Sequence, residues 1–167
     1  PEPPFVWPEP RVIEGQCNYL HHPPFAELVQ TSRGLFGVVS AITTRGVETL
    51  ERWLQQSPEL QARIVVVVYP TCATKEADLS LLLELVERIP GRVSVRIYPL
   101  EAATDRATNM LCFLAPTTGA VNVVAGPTDD FGAAAQPAGQ VNLVFRADPG
   151  LVDSIKQYFD WLWLHSR

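Results

Sequence analysis

The sequence predicts an α/β fold, a mixed and mostly parallel β-sheet flanked by helices on both faces. Three observations predict it. Apolar runs of strand length at 35–42 and 64–69 are rich in β-branched residues and show little polar alternation, as strands covered on both faces require. Segments with helical apolar spacing alternate with these runs, the pattern of right-handed crossovers over a parallel sheet. The chain has 167 residues, 47% of them hydrophobic and 19% charged. That charged share lies below the roughly 25% usual for soluble domains, and the length suits one domain with a real core.

Taken in order, the first segment is irregular. Seven of the 15 prolines fall between Pro1 and Pro24. Proline fixes φ and lacks an N–H, so residues 1–24 read as a Pro-rich arm or linker remnant, with a short edge strand at Arg11–Gly15. A chain beginning at Pro1 is expected to be excised from a longer one. Residues 25–167 then read as a single α/β domain. Leu35–Ile42 is the first strand, ended by Thr43, Thr44 and Gly46. Val47, Leu50 and Leu54 give the following helix its apolar stripe. Ile64–Tyr69 is a central strand, broken by Pro70. Thr74 is the expected N-cap of a second helix, with Glu76 and Asp78 in its first turn and Leu79, Leu82, Leu83 and Val86 on one stripe. Pro90-Gly91 stops it.

Val93, Val95 and Ile97 alternate with Arg92, Ser94 and Arg96, which predicts a third strand with one polar face. The rhythm then changes. Asn109–Leu114 and Val121–Ala125, joined through Thr117-Thr118-Gly119, read as a β-hairpin, and Gln140–Phe145 as another strand. Asp148-Pro149 is a helix start with a cap and a proline at the first helical position. The last helix, from about Gly150 to His165, is apolar on nearly every side. Tyr158, Trp161 and Trp163 are therefore expected to form a partner surface, first of all for a second copy of the domain.

Composition excludes several function classes. Thirteen Lys+Arg against 18 Asp+Glu give a net charge of −5. This opposes a dedicated polyanion binder, although 11 arginines leave a local patch for nucleic acid or phospholipid open. No apolar run approaches the ~18 residues of a membrane span, and no signal-peptide pattern is present. Cys17, Cys72 and Cys112 are odd in number and far apart, so small buried thiols in a reducing cytoplasm are expected rather than a disulfide framework. Only Cys72, after a strand, is placed for a catalytic role. His21-His22 and His165 have no carboxylate or cysteine at ligand spacing, so neither metal nor cofactor is expected. Arg45 stands just before a helix N-terminus, where backbone N–H groups favour anions.

The element order, with Thr43-Thr44-Arg45-Gly46-Val47, Val65–Pro70, Ala125-Gly126-Pro127-Thr128-Asp129 and Val141–Phe145 leading to Tyr158–Trp163, resembles one repeat of the phospholipase D superfamily over about three quarters of the chain. Active members use a histidine, a lysine two residues on and an aspartate, followed by a Gly-Ser-x-Asn turn. The histidine attacks phosphorus while the lysine and polar neighbours hold the phosphate charge. The corresponding strand here, Asp105–Leu114, has neither histidine nor lysine, and the turn reads Gly126-Pro127-Thr128-Asp129.

The resemblance thus implies a degenerate, non-catalytic member, a recognition or assembly module within a larger protein. It also implies a residual anion pocket in which Arg106 lies near the nucleophile position, with Thr108, Asn109 and Asp129 beside it and Arg45 contributing charge. The alternative is a phosphodiester hydrolase or half-enzyme of nuclease or phospholipase type, with its catalytic motif in another repeat. The partners implied are the parent protein's other domains.

Overall fold

The computed structural model describes residues 28–70, 72, 74–101, 109–114, 121–126, 143–147 and 149–167. Six strands, β1 (Gly34–Val39), β2 (Gln61–Val68), β3 (Val93–Pro99), β4 (Asn109–Leu114), β5 (Val121–Gly126) and β6 (Leu143–Ala147), form one sheet in the order β3-β2-β1-β4-β5-β6. Three long helices lie among the described residues, α1 (Thr44–Gln56), α2 (Glu76–Arg88) and α3 (Pro149–His165), after a short helical turn at 28–31. β1 pairs in parallel with β2, and β2 with β3, whereas β4, β5 and β6 join by antiparallel pairings. Four strands, β1, β2, β3 and β5, therefore run the same way. The sheet is mixed and mostly parallel, as the sequence predicts. Pro1–Pro24, and with it the expected strand at 11–15, lies outside the described residues.

Period-two alternation sorts the side chains onto two faces. Leu35 and Val39 of β1, Ile64 and Val66 of β2, and Leu111 and Phe113 of β4 pack with Val47, Leu50, Trp53 and Leu54 of α1 and Leu82 and Leu85 of α2. The intervening residues Val38, Val65, Val67, Met110 and Cys112 pack with Leu151, Ile155, Phe159 and Leu162 of α3. β2 is central among the parallel strands, and Ile64, Val65 and Val66 are fully buried. A one-residue slip would carry the exposed Arg63 into the core under α1 and α2, so the cost of burying that charge fixes the register. Gly37 allows close packing here: a Cβ at this position would stand 2.8 Å from Ile64 Cδ1 and 3.2 Å from Leu111 Cδ2.

Three local expectations are corrected. Lys75, not Thr74, is the N-cap of α2. The Thr74 hydroxyl is taken by the backbone N–H of Ile42, 2.8 Å away, in a buried loop without a strand partner for that donor. Leu83 does not belong to the inward stripe of α2. It is 53% exposed, while Asp78, Leu82 and Leu85 face inward with helical i, i+4, i+7 spacing. The last strand runs Leu143–Ala147 rather than ending at Phe145. The turn between α2 and β3 uses Gly91 at φ +79°, a left-handed conformation that glycine adopts without a Cβ clash.

α3 crosses its face obliquely and contacts both β6 and β3. The chain then turns to the outer edge of β3. There Arg167 and Ile97 exchange backbone hydrogen bonds of 2.8 and 3.0 Å, which satisfy groups of the edge strand.

Candidate functional site

The strand order creates a topological switch beside β1. The chain leaves β1 for β2 on one side and returns from β3 to β4 on the other. In open α/β sheets the crevice beyond the carboxyl ends of the strands at such a point is the usual ligand position. Here Val38 pairs with Met110 and Asn109 with Gly126, so the start of β4 and the end of β5 stand beside the end of β1. α1 begins at the same edge. Thr43 is its N-cap, with its hydroxyl accepting from Gly46 N at 3.4 Å. Arg45, its second residue, is exposed and has no ion pair with any described carboxylate.

A buried carboxylate joins α1 to α2 at this end. Asp78 Oδ2 accepts from the backbone N–H of Lys75 at 2.9 Å, and Oδ1 accepts from the Thr44 hydroxyl at 3.0 Å. The residue is only 6% exposed. Burial by itself pushes the carboxyl pKa up, but the hydrogen bonds from Lys75 and Thr44 and the Lys75 charge outweigh it and hold the group below its ordinary value. Asp78 thus supplies an internal anion to the first turns of both helices.

Of the residues singled out in the sequence, the register brings Asn109 to the edge from which α1 and Arg45 start. Arg106, Thr108 and Asp129 lie outside the described residues, as do Cys17, His21 and His22. By sequence, Thr108 immediately precedes Asn109, and Asp129 follows Gly126 by three positions. Cys112 is buried between the sheet and α3, and burial pushes its thiol up to about 12. Cys72 is a half-buried free thiol whose Sγ lies 3.7 Å from the Thr74 carbonyl. His165 ends α3, with Nδ1 2.7 Å from the Trp161 carbonyl and its ring stacked on Trp161 at 4.4 Å. Among the described residues no group of three or more His, Cys, Asp or Glu could hold a metal ion.

Tyr158, Trp161 and Trp163 are half-buried on α3. Each finds intramolecular company: Trp161 lies 6.1 Å from the Tyr98 ring, Trp163 stacks on Phe159 at 5.7 Å, and Tyr158 packs against the α3-side core. Burial, then the nearby Tyr98, raises the Tyr158 phenol above its ordinary value. Leu164 is the outlier at 76% exposed.

Sequence reasoning missed three arginine roles. Arg92 Nη2 donates to the carbonyls of Leu54 and Ser57 at 2.8 and 2.6 Å, and its Nε donates to Leu60 at 3.2 Å, which clamps the turn from α1 to β2. Arg96 lies over the Trp163 ring at 4.7 Å, and Arg63 lies 5.8 Å from the same centroid. The polar alternation of β3 was the visible signal for Arg96, whereas nothing local marked its indole partner 67 residues away. No helix among the described residues is long and apolar enough to cross a membrane. No protein-family model matches the chain, and no curated protein matches it.

Proposed function

We propose that the chain is a non-catalytic recognition or assembly module, a degenerate relative of the phospholipase D repeat, which uses the edge beyond β1 as an anion-recognition site. The observation that carries this reading is the pairing of Asn109 with Gly126 beside the end of β1 and the start of α1. It supports a cleft at the switch point to which Arg45 and Asn109 belong, with Arg106, Thr108 and Asp129 on the adjoining segments. β4 itself, Asn109–Leu114, offers no nucleophilic histidine or phosphate-holding lysine, and its one thiol, Cys112, is buried and protonated at neutral pH.

The module works in the cytoplasm, beside other domains of a longer protein or a second copy reached through Tyr158, Trp161 and Trp163. The free thiols Cys72 and Cys112 agree with a reducing compartment. The test is turnover of bis(4-nitrophenyl) phosphate by the whole chain. No product above the uncatalysed rate is expected, and turnover abolished by Arg106→Ala would overturn the non-catalytic reading in favour of a phosphodiester hydrolase.

A further inference from the structure

At the opposite end of the sheet, a groove of ≈ 320 Å³ opens between α3 and the strands. Its walls include Phe36 at the third position of β1, Leu114 and Val121 at the β4–β5 end, and Ile155 and Phe159 of α3. Arg63, Lys156 and Asp160 add charge to the lining. One wall continues as an aromatic ladder: Phe36 stacks on Phe159 at 5.1 Å and Phe159 on Trp163 at 5.7 Å. Both Arg63 and Arg96 lie against Trp163.

The electrostatics of this corner are unbalanced. Arg63 and Lys156 have no ion pair with any described carboxylate, and the Lys156–Asp160 order along α3 is the less favourable one for an i, i+4 bridge. Arg96 Nη1 already donates to the Trp163 carbonyl at 2.6 Å, which leaves Arg63 and Lys156 as the cations that face the groove. Arginine presents a planar donor fork that matches a carboxylate, and its weak hydration suits a partly apolar surface. A ligand for this corner therefore needs an anionic head for Arg63 and an apolar body for the groove. At about 30 Å³ per water-sized group, the groove accommodates roughly ten non-hydrogen atoms.

We propose that this groove binds a small amphipathic carboxylate of medium acyl length, with the carboxylate held by Arg63 and the chain lying between Phe36, Ile155 and Phe159. The site differs in residues and in position from the edge beyond β1, so it stands or falls separately from the proposed function. Isothermal titration of the full chain with sodium octanoate, and in parallel with octylammonium chloride, tests it. Octanoate is expected to bind once per chain at or below about millimolar concentration, with no saturable heat from octylammonium. Arg63→Gln, a change on an exposed side chain, should weaken octanoate at least about tenfold, as loss of a charge-assisted hydrogen bond implies. Val152→Trp, which fills the groove, should abolish binding while circular dichroism stays unchanged. Equal binding of octylammonium, an unchanged affinity in Arg63→Gln, or no saturable octanoate heat would overturn the proposal.

Discussion

The two faces of the sheet are covered differently. Under α1 and α2, Leu35, Ile42, Leu50, Leu54, Leu60, Ile64, Leu82, Leu85 and Phe113 are at most 1% exposed. Among the described residues, α3 is the helix packed on the other face. A helix is about 10 Å wide and neighbouring strands are about 4.8 Å apart, so one oblique helix cannot cover six strands. The bare margin holds the groove, Arg63 and the stacked indole. Among the described residues, two helices seal the first face, while the second keeps a groove beside its single helix.

Truncating a core aromatic on each face should separate them most. Phe113→Ala, which opens a closed cavity, is expected to cost about 3–5 kcal/mol in urea unfolding. Phe159→Ala also removes a buried ring, but the space it leaves opens onto the groove, so it should cost less. Equal losses would show that the second face is as tightly sealed as the first.

The arginines give the next contrast. Arg92→Ala removes hydrogen bonds from a charged group to three carbonyls and leaves the end of α1 unsatisfied, a loss of about 1.5–3 kcal/mol. Arg63→Ala should change stability by no more than about 1 kcal/mol, the scale of an exposed cation–π contact. Chemical denaturation of the two variants side by side measures the difference.

The smaller effects concern titration. The folded pKa of Asp78 is depressed, so its stabilisation is present above the unfolded carboxylate value of about 3.9 and is lost as pH falls through the folded pKa. Asp78→Asn should therefore flatten the acid limb of the stability–pH curve and cost about 1 kcal/mol at neutral pH, as the loss of a helix cap does. An unchanged acid limb would remove Asp78 from the account. On the α3 face, Cys112 should resist thiol reagents at neutral pH until denaturant opens the core, because burial keeps it protonated. Rapid labelling of folded Cys112 would mean that this face opens readily.

Legibility in the sequence followed the range of the interactions. The β-branched run of β2, the hairpin of β4 and β5 and the proline at the start of α3 are local signals, and each marks its element. The cap of α2 was misplaced because Thr74 answers a donor in a loop 32 residues earlier, which no local rule registers. Leu83 reads as inward because α2 carries leucines at several neighbouring positions, and only the packing against the sheet selects Leu82 and Leu85. For the site, the sequence named Arg45 and Asn109, and the sheet register explains their shared edge. The Arg63–Trp163–Arg96 stack was invisible because it joins two strands to the far end of the chain.

The most direct test of the central claim, recognition without chemistry at the edge beyond β1, is a titration of the isotope-labelled chain with dimethyl phosphate followed by nuclear magnetic resonance. The account predicts saturable amide shifts at Thr43, Thr44, Arg45, Asn109 and Gly126, with the phosphodiester intact after prolonged incubation. An edge that stays silent, or the appearance of monomethyl phosphate, would contradict it.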